Sequence, residues 1–435
     1  MTTEGSNPSG SFFNRQERIS WWNQDRLSHA RVMVAGAGAL GNELLKNLAL
    51  LGIGYMLVID FDVIEDSNLS RAVLFRSGDV ADNSSKALVA AERARQLNPN
   101  THSIVQGINA NLVWEIGIGV YRRMDVVIGC LDNLEARLKI NENCWCVRKT
   151  WIDGGMWELS GNISVFDSSD DKACYECNMS PQDYYRAAQR YSCTSKTVKT
   201  RLMNGFEPTT QTTSAIIAAV QAQETVKLLH GINSFPGRKL VYNGSSHFYL
   251  DSEYTPMYML DLTVNGECAS HGEDRLDEIL ELPDACAETT TARQLLQMVG
   301  ENWEVLELGR SFIFKAVCPY CENEILLDKP LYQIQDTDVV CPNCSVRCPT
   351  CGTVNKGVPD CQNCGQRDIY EPNLIGFDQL TYEDPLSSMY LDWPLGRLGI
   401  PKLHVLTIRD RHWKKRHVEL TGDVSAFGFH NSQNR

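Results

Sequence analysis

The chain has 435 residues, of which 43% are hydrophobic and 22% charged, and this usage is typical of a globular protein. The length suggests about two or three domains. A net charge of −13 disfavours non-specific binding to a phosphate backbone, so nucleic acid is not an expected partner. The polar N-terminus lacks the apolar segment of a secretory signal, and no apolar run approaches the roughly 20 residues of a membrane span. We therefore expect a cytoplasmic protein without a membrane partner.

Strand and helix patterns alternate along the first third of the chain. Short apolar runs predict strands, and apolar residues at helical spacing predict helices. The predicted order is a strand at 31–36, a helix at 39–51, a strand at 55–60, a helix at 84–97, a strand at 125–129 and a helix at 134–146. Short strands are then expected at 151–167, a long helix at 212–230, and strands at 239–243 and 257–264. This alternation predicts an α/β fold with a mostly parallel sheet and helices on both faces.

The composition changes along the chain and divides it into segments. Residues 1–12 are rich in Ser, Gly and Asn, and we expect them to be disordered. Residues 13–272 hold the Rossmann-like α/β pattern, interrupted at 178–211 by a polar, irregular stretch that is long enough to be a functional loop. A weaker α/β pattern at 273–315 precedes paired cysteines at 316–370. The remaining residues, 371–435, form a tail with strand-like runs, so a β-rich tail is expected.

Eight of the 16 cysteines form four CxxC pairs near the C-terminus. The pairs are Cys318/Cys321, Cys341/Cys344, Cys348/Cys351 and Cys361/Cys364. Two such pairs can supply the thiolates of one tetrahedral zinc site. The gaps of 19 residues between the first two pairs and nine between the last two fit zinc ribbons. We therefore predict two Zn²⁺ sites. Which pairs share a metal stays open, because the stretch from Cys341 to Cys351 is dense enough to interleave.

A glycine-rich turn at 36–41 follows the first predicted strand. Its glycines are Gly36, Gly38 and Gly41. Glycines in such a turn let backbone N–H groups approach phosphate oxygens at a helix N-terminus, and NAD, FAD and ATP sites all use them. Asp60, which ends the second strand, is the expected partner of a ribose hydroxyl. An NAD oxidoreductase would have no use for the charged residues that follow, Arg71, Lys86 and Asp132, so that class is the weakest candidate.

Several spaced motifs occur in a characteristic order. They are GAGALGNELLKNLALLG, the D-x-D within VIDFDVIEDSNLSR, GCLDNLEAR, and IDGG at 152–155. Together they resemble the adenylation domain of the ubiquitin-activating enzyme superfamily, to which the bacterial ThiF/MoeB-type enzymes also belong. The resemblance runs from about residue 13 to 272. Ala39 stands where the family usually has a third glycine, and its small side chain still permits close approach of the backbone.

The resemblance implies a role for each matching residue. Asp60 would hold the ribose of ATP, and Asp132 would hold an Mg²⁺ ion that bridges phosphate oxygens. The residues that would contact the phosphates are Asn68, Arg71 and Lys86. Arg15 matches an N-terminal motif whose arginine reaches into the partner subunit's site, so it would act in trans and implies a homodimer. Arg76 is a further candidate with a less diagnostic spacing.

The resemblance also implies a third zinc site, within the α/β segment. Cys174 and Cys177 form a CxxC pair where the family has one, and the family's second pair follows the last strand of the sheet. At that place this chain has Cys268 and His271. A Cys₃His set is an ordinary zinc tetrahedron. The alternative is that Cys174 and Cys177 share a metal with Cys318/Cys321.

Cys193 lies in the polar 178–211 loop and in no CxxC pair. Its surroundings resemble those of the catalytic cysteine in enzymes that form a thioester with a ubiquitin-like protein. Basic residues nearby would lower the pKa of its thiol and activate it as a nucleophile; they are Arg190, Lys196 and Lys199. The alternative is an incidental surface thiol, as in family members that only adenylate their substrate.

The expected function is ATP-dependent activation of a ubiquitin-like protein. The enzyme would adenylate the C-terminal glycine of its partner and then capture it on Cys193 as a thioester. Acyl adenylation needs stabilisation of phosphate charge, which Arg71, Lys86 and Mg²⁺ would supply. One alternative is a MoeB/ThiF-type adenylyltransferase of a sulfur-carrier protein, without a thioester. Another is a zinc-ribbon interaction scaffold with a degenerate nucleotide fold.

Two C-terminal features lie outside the family pattern. The zinc ribbons and tail are expected to recruit the modifier or a conjugating enzyme. The run from Arg409 to His417 is locally basic, which is typical of a solvated face, although it could also dock an acidic partner or nucleic acid.

Overall fold

The computed structural model describes residues 12–180, 182–183, 208–244, 257–272, 275–300, 302–347, 350–351, 353–356, 363 and 372–429. These residues divide into two compact units. The first unit holds the described residues up to Val113, Tyr121–Asn178 and those between 208 and 275. The second unit holds Trp114–Val120, the described residues between 179 and 206, and the described residues from Leu276 onward.

The first unit is built on an eight-stranded sheet with the order β3-β2-β1-β4-β5-β6-β7-β8. The strands are β1 Arg31–Ala35, β2 Tyr55–Ile59, β3 Ile104–Ile108, β4 Val126–Gly129, β5 Trp151–Trp157, β6 Ser160–Phe166, β7 Arg238–Asn243 and β8 Met257–Asp261. Strands β1 to β5 pair in parallel, and β6 to β8 extend the sheet in antiparallel fashion. The predicted mostly parallel α/β sheet is confirmed.

Helices connect the parallel strands. In the described part of the chain up to residue 275, the helices are α1 Gln24–His29, α2 Ala39–Leu50, α3 Ser77–Ala81, α4 Lys86–Leu97, α5 Leu112–Glu115, α6 Ile118–Arg122, α7 Leu134–Cys146, α8 Gln211–His230 and α9 Ala269–Gly272. Val32 and Val34 of β1 share a buried cluster with side chains of α2, α4 and α8. Met33 is also buried and points to the opposite face, because successive strand residues alternate. The central strand is therefore covered on both faces.

Local signals in the sequence explain where the two longest helices begin and end. Asn133 precedes α7, and its side chain accepts a hydrogen bond from the N–H of Ala136 at 2.8 Å. Thr210 caps α8 by accepting a bond from the N–H of Thr213 at 3.3 Å. Helix α8 ends at Gly231, whose φ of +69° lies in the left-handed region that glycine adopts without strain.

The second unit contains a separate sheet with the order β11-β10-β15-β16-β9, and β14 also pairs with β10. Its elements are β9 Leu280–Glu281, α10 Ala292–Val299, β10 Trp303–Val317, β11 Glu324–Pro330, β14 Asn373–Thr381, β15 Val405–Asp410 and β16 Lys415–Glu419; β12 Ser345–Arg347 and β13 Val354–Lys356 form a two-stranded ribbon. The expected β-rich tail is confirmed, since it supplies β14 to β16.

The sheet of the second unit joins segments that the sequence suggests are separate. Strand β10 ends close to the predicted boundary at 315, yet it pairs antiparallel with β14 and β15 of the tail. Its buried residues Leu306 and Phe312 share one apolar cluster with Leu406 of β15. The proposed boundaries stay a prediction, but residues on both sides of the cysteine-rich segment contribute to one core.

Within the described ranges, we find no helix with the length and hydropathy that crossing a bilayer would require.

Candidate functional site

The glycine-rich turn joins the end of β1 to the start of α2. Gly36 has a φ of +95°, and a Cβ on it would lie 2.5 Å from the carbonyl oxygen of Cys130. Only glycine fits there, because any side chain would collide with the backbone that follows β4. A Cβ placed on Gly38 would meet no heavy atom within 4 Å, so the turn is open on that side. The N–H groups of the first turn of α2 point towards this opening, as a phosphate site requires.

Asp60 follows β2 and is fixed by two backbone amides. Its carboxylate accepts hydrogen bonds from the N–H of Ala37 at 2.7 Å and from the N–H of Asp62 at 2.8 Å. Burial raises the pKa of Asp60, while these amide bonds and the nearby charge of Lys86 act to lower it. Lys86, the first residue of α4, donates from Nζ to Oδ2 of Asp62 at 2.9 Å. The structure thus brings the glycine turn, Asp60 and Lys86 together.

The remaining predicted phosphate contacts lie on the segment between β2 and α3. The Asn68 side chain accepts a bond from the N–H of Glu65 at 3.0 Å. Arg71 donates from Nη1 to Oγ1 of Thr209 at 2.9 Å, next to the start of α8. Arg76 is exposed and donates to the carbonyl oxygens of Val73 and Phe75, both at 2.8 Å. Arg71 therefore links this segment to α8, whereas Arg76 contacts its own local backbone.

Asn42 connects the glycine turn to this segment, and sequence reasoning missed it. It is fully buried on α2. Its Nδ2 donates to the carbonyl oxygens of Ala37 at 2.7 Å and Gly38 at 3.0 Å, and its Oδ1 accepts from the N–H of Leu74 at 2.9 Å. A buried amide with all these bonds fixes both segments. The position of Asn42 gave no clear signal in the sequence, because Glu43 follows it directly and α2 carries other polar residues.

The third component is the loop after β4, which contains Asp132. Strand β4 lies next to β1, on the side opposite β2. This is the point where the strand order reverses, and open α/β sheets bind ligands there, outside the carboxyl ends of the strands. Gln221 of α8 supports the end of β4, just before the loop, by donating from Nε2 to the carbonyl oxygen of Gly129 at 3.0 Å. Asp132 is exposed. Arg15 is also exposed, in the segment before α1, and its role stays a prediction.

One cysteine cluster, which we call the core cluster, lies in the first unit, and its ligand atoms all fall within 4.8 Å of one another. Its members are Cys174, Cys177, Cys268 and His271. The Sγ of Cys174 is 3.7 Å from that of Cys177 and 3.6 Å from that of Cys268. Tetrahedral zinc with bonds of about 2.3 Å would space sulfurs by about 3.8 Å, so the donor set fits Zn²⁺. The hydrogen bond between Cys174 and Cys177 lowers the pKa of the Cys177 thiol and raises the pKa of the Cys174 thiol, and burial raises the pKa of Cys268, so a thiolate forms first at Cys177.

Aromatic and polar contacts join this core cluster to α7. Trp145 stacks on His271 with ring centroids 4.2 Å apart. Asn141 donates from Nδ2 to Oγ of Ser270 at 2.8 Å and accepts a bond from the N–H of Tyr175 at 3.0 Å. The core cluster is thus packed against the C-terminal half of α7.

A second cluster lies in the second unit. It groups Cys318, Cys321, Cys341 and Cys344 within the same 4.8 Å limit. The Sγ atoms of Cys318 and Cys344 are 3.6 Å apart, as are those of Cys321 and Cys341. Cys318 and Cys321 therefore associate with the next CxxC pair rather than with the core cluster.

Several predicted site residues lie outside the described part of the chain. They are Cys193, Cys348, Cys361 and Cys364. Cys351 is described and exposed, and its Sγ contacts Oγ1 of Thr353 at 3.2 Å. The predicted second ribbon and the proposed nucleophile therefore stay predictions.

Known proteins resemble part of this chain. The probable molybdopterin-synthase adenylyltransferase of Porphyra purpurea is 29% identical over 221 residues, covering 51% of this chain and 53% of that protein. The sulfur carrier protein adenylyltransferase of Thermus thermophilus is 31% identical over 225 residues, covering 51% of this chain and 77% of that protein. Ubiquitin-like modifier-activating enzyme 1 of Mus musculus is 35% identical over 151 residues, covering 33% of this chain and 14% of that protein. The chain thus spans about half the length of the first of these relatives.

The family model extends further than any of these pairwise matches. The model of the ThiF family matches residues 13–253, which is more than half of the 435 residues. That range includes the glycine turn, Asp60, Lys86 and the loop after β4. The chain therefore belongs to the ThiF family.

Proposed function

We propose that this protein is an adenylyltransferase that activates the C-terminal carboxylate of a ubiquitin-like or sulfur-carrier protein with ATP. The observation that carries the proposal is the convergence of the glycine turn, Asp60 and Lys86 on the edge of the sheet from which the Asp132 loop emerges. The names of the Thermus thermophilus and Mus musculus relatives support this substrate class.

The chemistry follows from the charges of these groups. A carboxylate oxygen of the substrate attacks the α-phosphorus of ATP, and the bond to pyrophosphate breaks, which yields an acyl adenylate. No strong base is needed, because the nucleophile is already ionised. Arg71 and Lys86 stabilise the phosphate charge after exchanging their present oxygen partners for phosphate oxygens. Asp60 accepts a hydrogen bond from a ribose hydroxyl, through carboxylate lone pairs that the two hydrogen bonds from backbone N–H groups leave available.

The donor sets also fit metal ions. Asp132 offers an exposed carboxylate, a hard oxygen ligand of the kind that Mg²⁺ prefers, and the ion would supply positive charge at the phosphates. The core cluster and the Cys318/Cys321/Cys341/Cys344 cluster each offer four ligands suited to structural Zn²⁺. We propose ATP and Mg²⁺ as cofactors of the reaction and Zn²⁺ as a structural ion.

The finer proposal is that the activated carboxylate is then transferred to Cys193. The thiolate would attack the acyl carbon, and AMP would leave with the electron pair of the broken C–O bond, so that a thioester forms. The alternative is a reaction that stops at the adenylate, and the name of the Thermus thermophilus relative supports it. Exchange of labelled pyrophosphate into ATP is expected in both cases.

A direct test uses ATP, Mg²⁺ and a ubiquitin-like protein that ends in glycine. A thioester predicts an adduct on a non-reducing gel that disappears with dithiothreitol and with Cys193→Ala. An adduct that survives Cys193→Ala would overturn the choice of nucleophile. Pyrophosphate exchange without any adduct would favour the sulfur-carrier alternative. Failure to bind ATP would instead favour the interaction scaffold.

The proposed homodimer can be tested by complementation. If Arg15 acts across the subunit interface, Arg15→Ala and Lys86→Ala are each inactive, but mixed dimers contain one intact site. Mixing the two variants should therefore restore part of the pyrophosphate exchange. Mixtures that stay as inactive as their components would contradict a trans-acting Arg15.

The zinc ribbons are proposed to recruit the modifier or a conjugating enzyme. Deleting residues 316–435 would be a poor test, because it removes β14 and β15 from the strands that pair with β10. Cys361→Ser alters the second predicted ribbon and leaves that sheet intact. The variant should keep pyrophosphate exchange but transfer the modifier more slowly. Unchanged transfer would contradict recruitment by that ribbon.

A further inference from the structure

Arg137 supports the loop that carries Asp132. Arg137 lies in the first turns of α7, a few residues after the loop. Its Nη2 donates to the carbonyl oxygen of Leu131 at 2.6 Å and to that of Gly154, on β5, at 3.1 Å. One planar guanidinium therefore ties the backbone next to Asp132 to the neighbouring strand.

The same guanidinium forms an ion pair inside the protein. The Nε of Arg137 lies 3.2 Å from Oδ1 of Asp153, a carboxylate whose side chain is only 6% exposed. Burial raises the pKa of Asp153, and the positive charge of Arg137 opposes that rise. Arg137 is also attracted by the charge of Asp132. The Nε atom of the arginine thus contacts Asp153, and its Nη2 atom contacts the backbone of the loop.

Stability alone gives little reason for this arrangement. Replacing a buried ion pair by well-packed apolar residues is often neutral or stabilising. The contact with Leu131 can serve to position Asp132, because it fixes the peptide group that directly precedes this residue. We infer that Arg137 is a positioning residue: it holds the Leu131–Asp132 backbone so that the Asp132 carboxylate is aimed at the metal ion of the bound nucleotide. This inference rests on the proposed role of Asp132 in ATP activation.

The first test is Arg137→Lys, which keeps the charge but has one nitrogen in place of the Nε and Nη2 atoms that contact Asp153 and the two carbonyl oxygens. Hydrogen exchange of amides 130–136 should accelerate. Mn²⁺ titrated against the protein with a non-hydrolysable ATP analogue, followed by electron paramagnetic resonance, should bind about tenfold more weakly, the loss typical of a disturbed outer-shell partner. Binding of the analogue without metal should not change. Lys139→Ala, on the same helix, is the matched control and should match the wild type in each measurement.

A second variant separates positioning from structure. Arg137→Met combined with Asp153→Leu replaces the ion pair by apolar side chains, so the fold should persist while the contact with Leu131 is lost. Positioning predicts the same weakened Mn²⁺ binding and a raised Mg²⁺ requirement for pyrophosphate exchange. Normal Mn²⁺ binding in this folded double variant would overturn the inference.

The dependence on Asp132 provides the last check. Asp132→Asn should weaken Mn²⁺ binding, and adding Arg137→Lys to it should weaken binding no further, because both changes remove one interaction. Fully additive losses would contradict action through Asp132. The metal measurements do not require turnover, so they can contradict the role of Arg137 even where wild-type exchange supports the proposed function. A wild type that binds ATP and Mn²⁺ but exchanges no pyrophosphate would contradict only the latter.

Discussion

The two cysteine clusters differ in what they connect. The core cluster joins residues 174–177 to residues 268–271, which lie 94 positions apart in the pairs Cys174/Cys268 and Cys177/His271. It is also packed against Trp145 of α7. The other cluster joins residues at most 26 positions apart, and Cys321 in it is exposed. A metal in the core cluster therefore constrains distant parts of the first unit, whereas a metal in the second cluster orders a local loop.

The largest expected effect follows from opening the core cluster. Cys174→Ser should remove one zinc per chain and lower the free energy of unfolding by about 4 kcal/mol, the range of changes that eliminate a structural metal. Pyrophosphate exchange should fall with the folded fraction. Denaturant titration and zinc analysis check both. Cys286→Ser, outside both clusters, is the control and should keep every zinc. A variant that loses the zinc of the core cluster but keeps full stability would contradict the claim that this metal constrains distant parts of the first unit.

Opening the second cluster should have a smaller and more local effect. Cys341→Ser should also remove one zinc, but it should cost only about 2 kcal/mol, since it releases a shorter loop. Hydrogen exchange should accelerate around residues 318–344 and stay unchanged in α7. ATP binding should be retained, as measured by calorimetry. Loss of ATP binding in this variant would show that the two clusters are not independent.

The smallest expected effect compares two asparagines near the clusters. Asn141 is buried and bonded to Ser270 and Tyr175, so Asn141→Ala should cost about 1–3 kcal/mol and speed zinc release from the core cluster. Asn343 makes an exposed bond to Asn323 at 3.0 Å, and Asn343→Ala should change stability by less than about 0.5 kcal/mol. A chelator assay of zinc release and thermal melting measure the pair. Equal effects of the two changes would contradict the proposed difference in burial and reach.

The sequence predicts the parallel strands and the residues that follow them, because both depend on local patterns. Strands near 31–36, 55–60 and 125–129 are all present, and Asp60 and Asp132 follow the second and third of these. The pairing of β10 with β14 and β15 could not be predicted from local patterns, because these strands lie far apart in the sequence. Likewise, the bond between Asn42 and Leu74 and the bond between Arg137 and Gly154 each join residues that lie far apart in sequence.

Helix α7 connects the proposed nucleotide site with the core cluster. Its 13 residues extend over roughly 20 Å, from the Asp132 loop to the core cluster. If the helix moves as one rigid rod, a ligand that fixes one end reduces the freedom of the other. Thermodynamic reciprocity then requires that bound nucleotide tighten the binding of zinc by the same factor by which zinc tightens the binding of nucleotide. The ion of the core cluster would in that case act as an effector of ATP binding as well as a structural support.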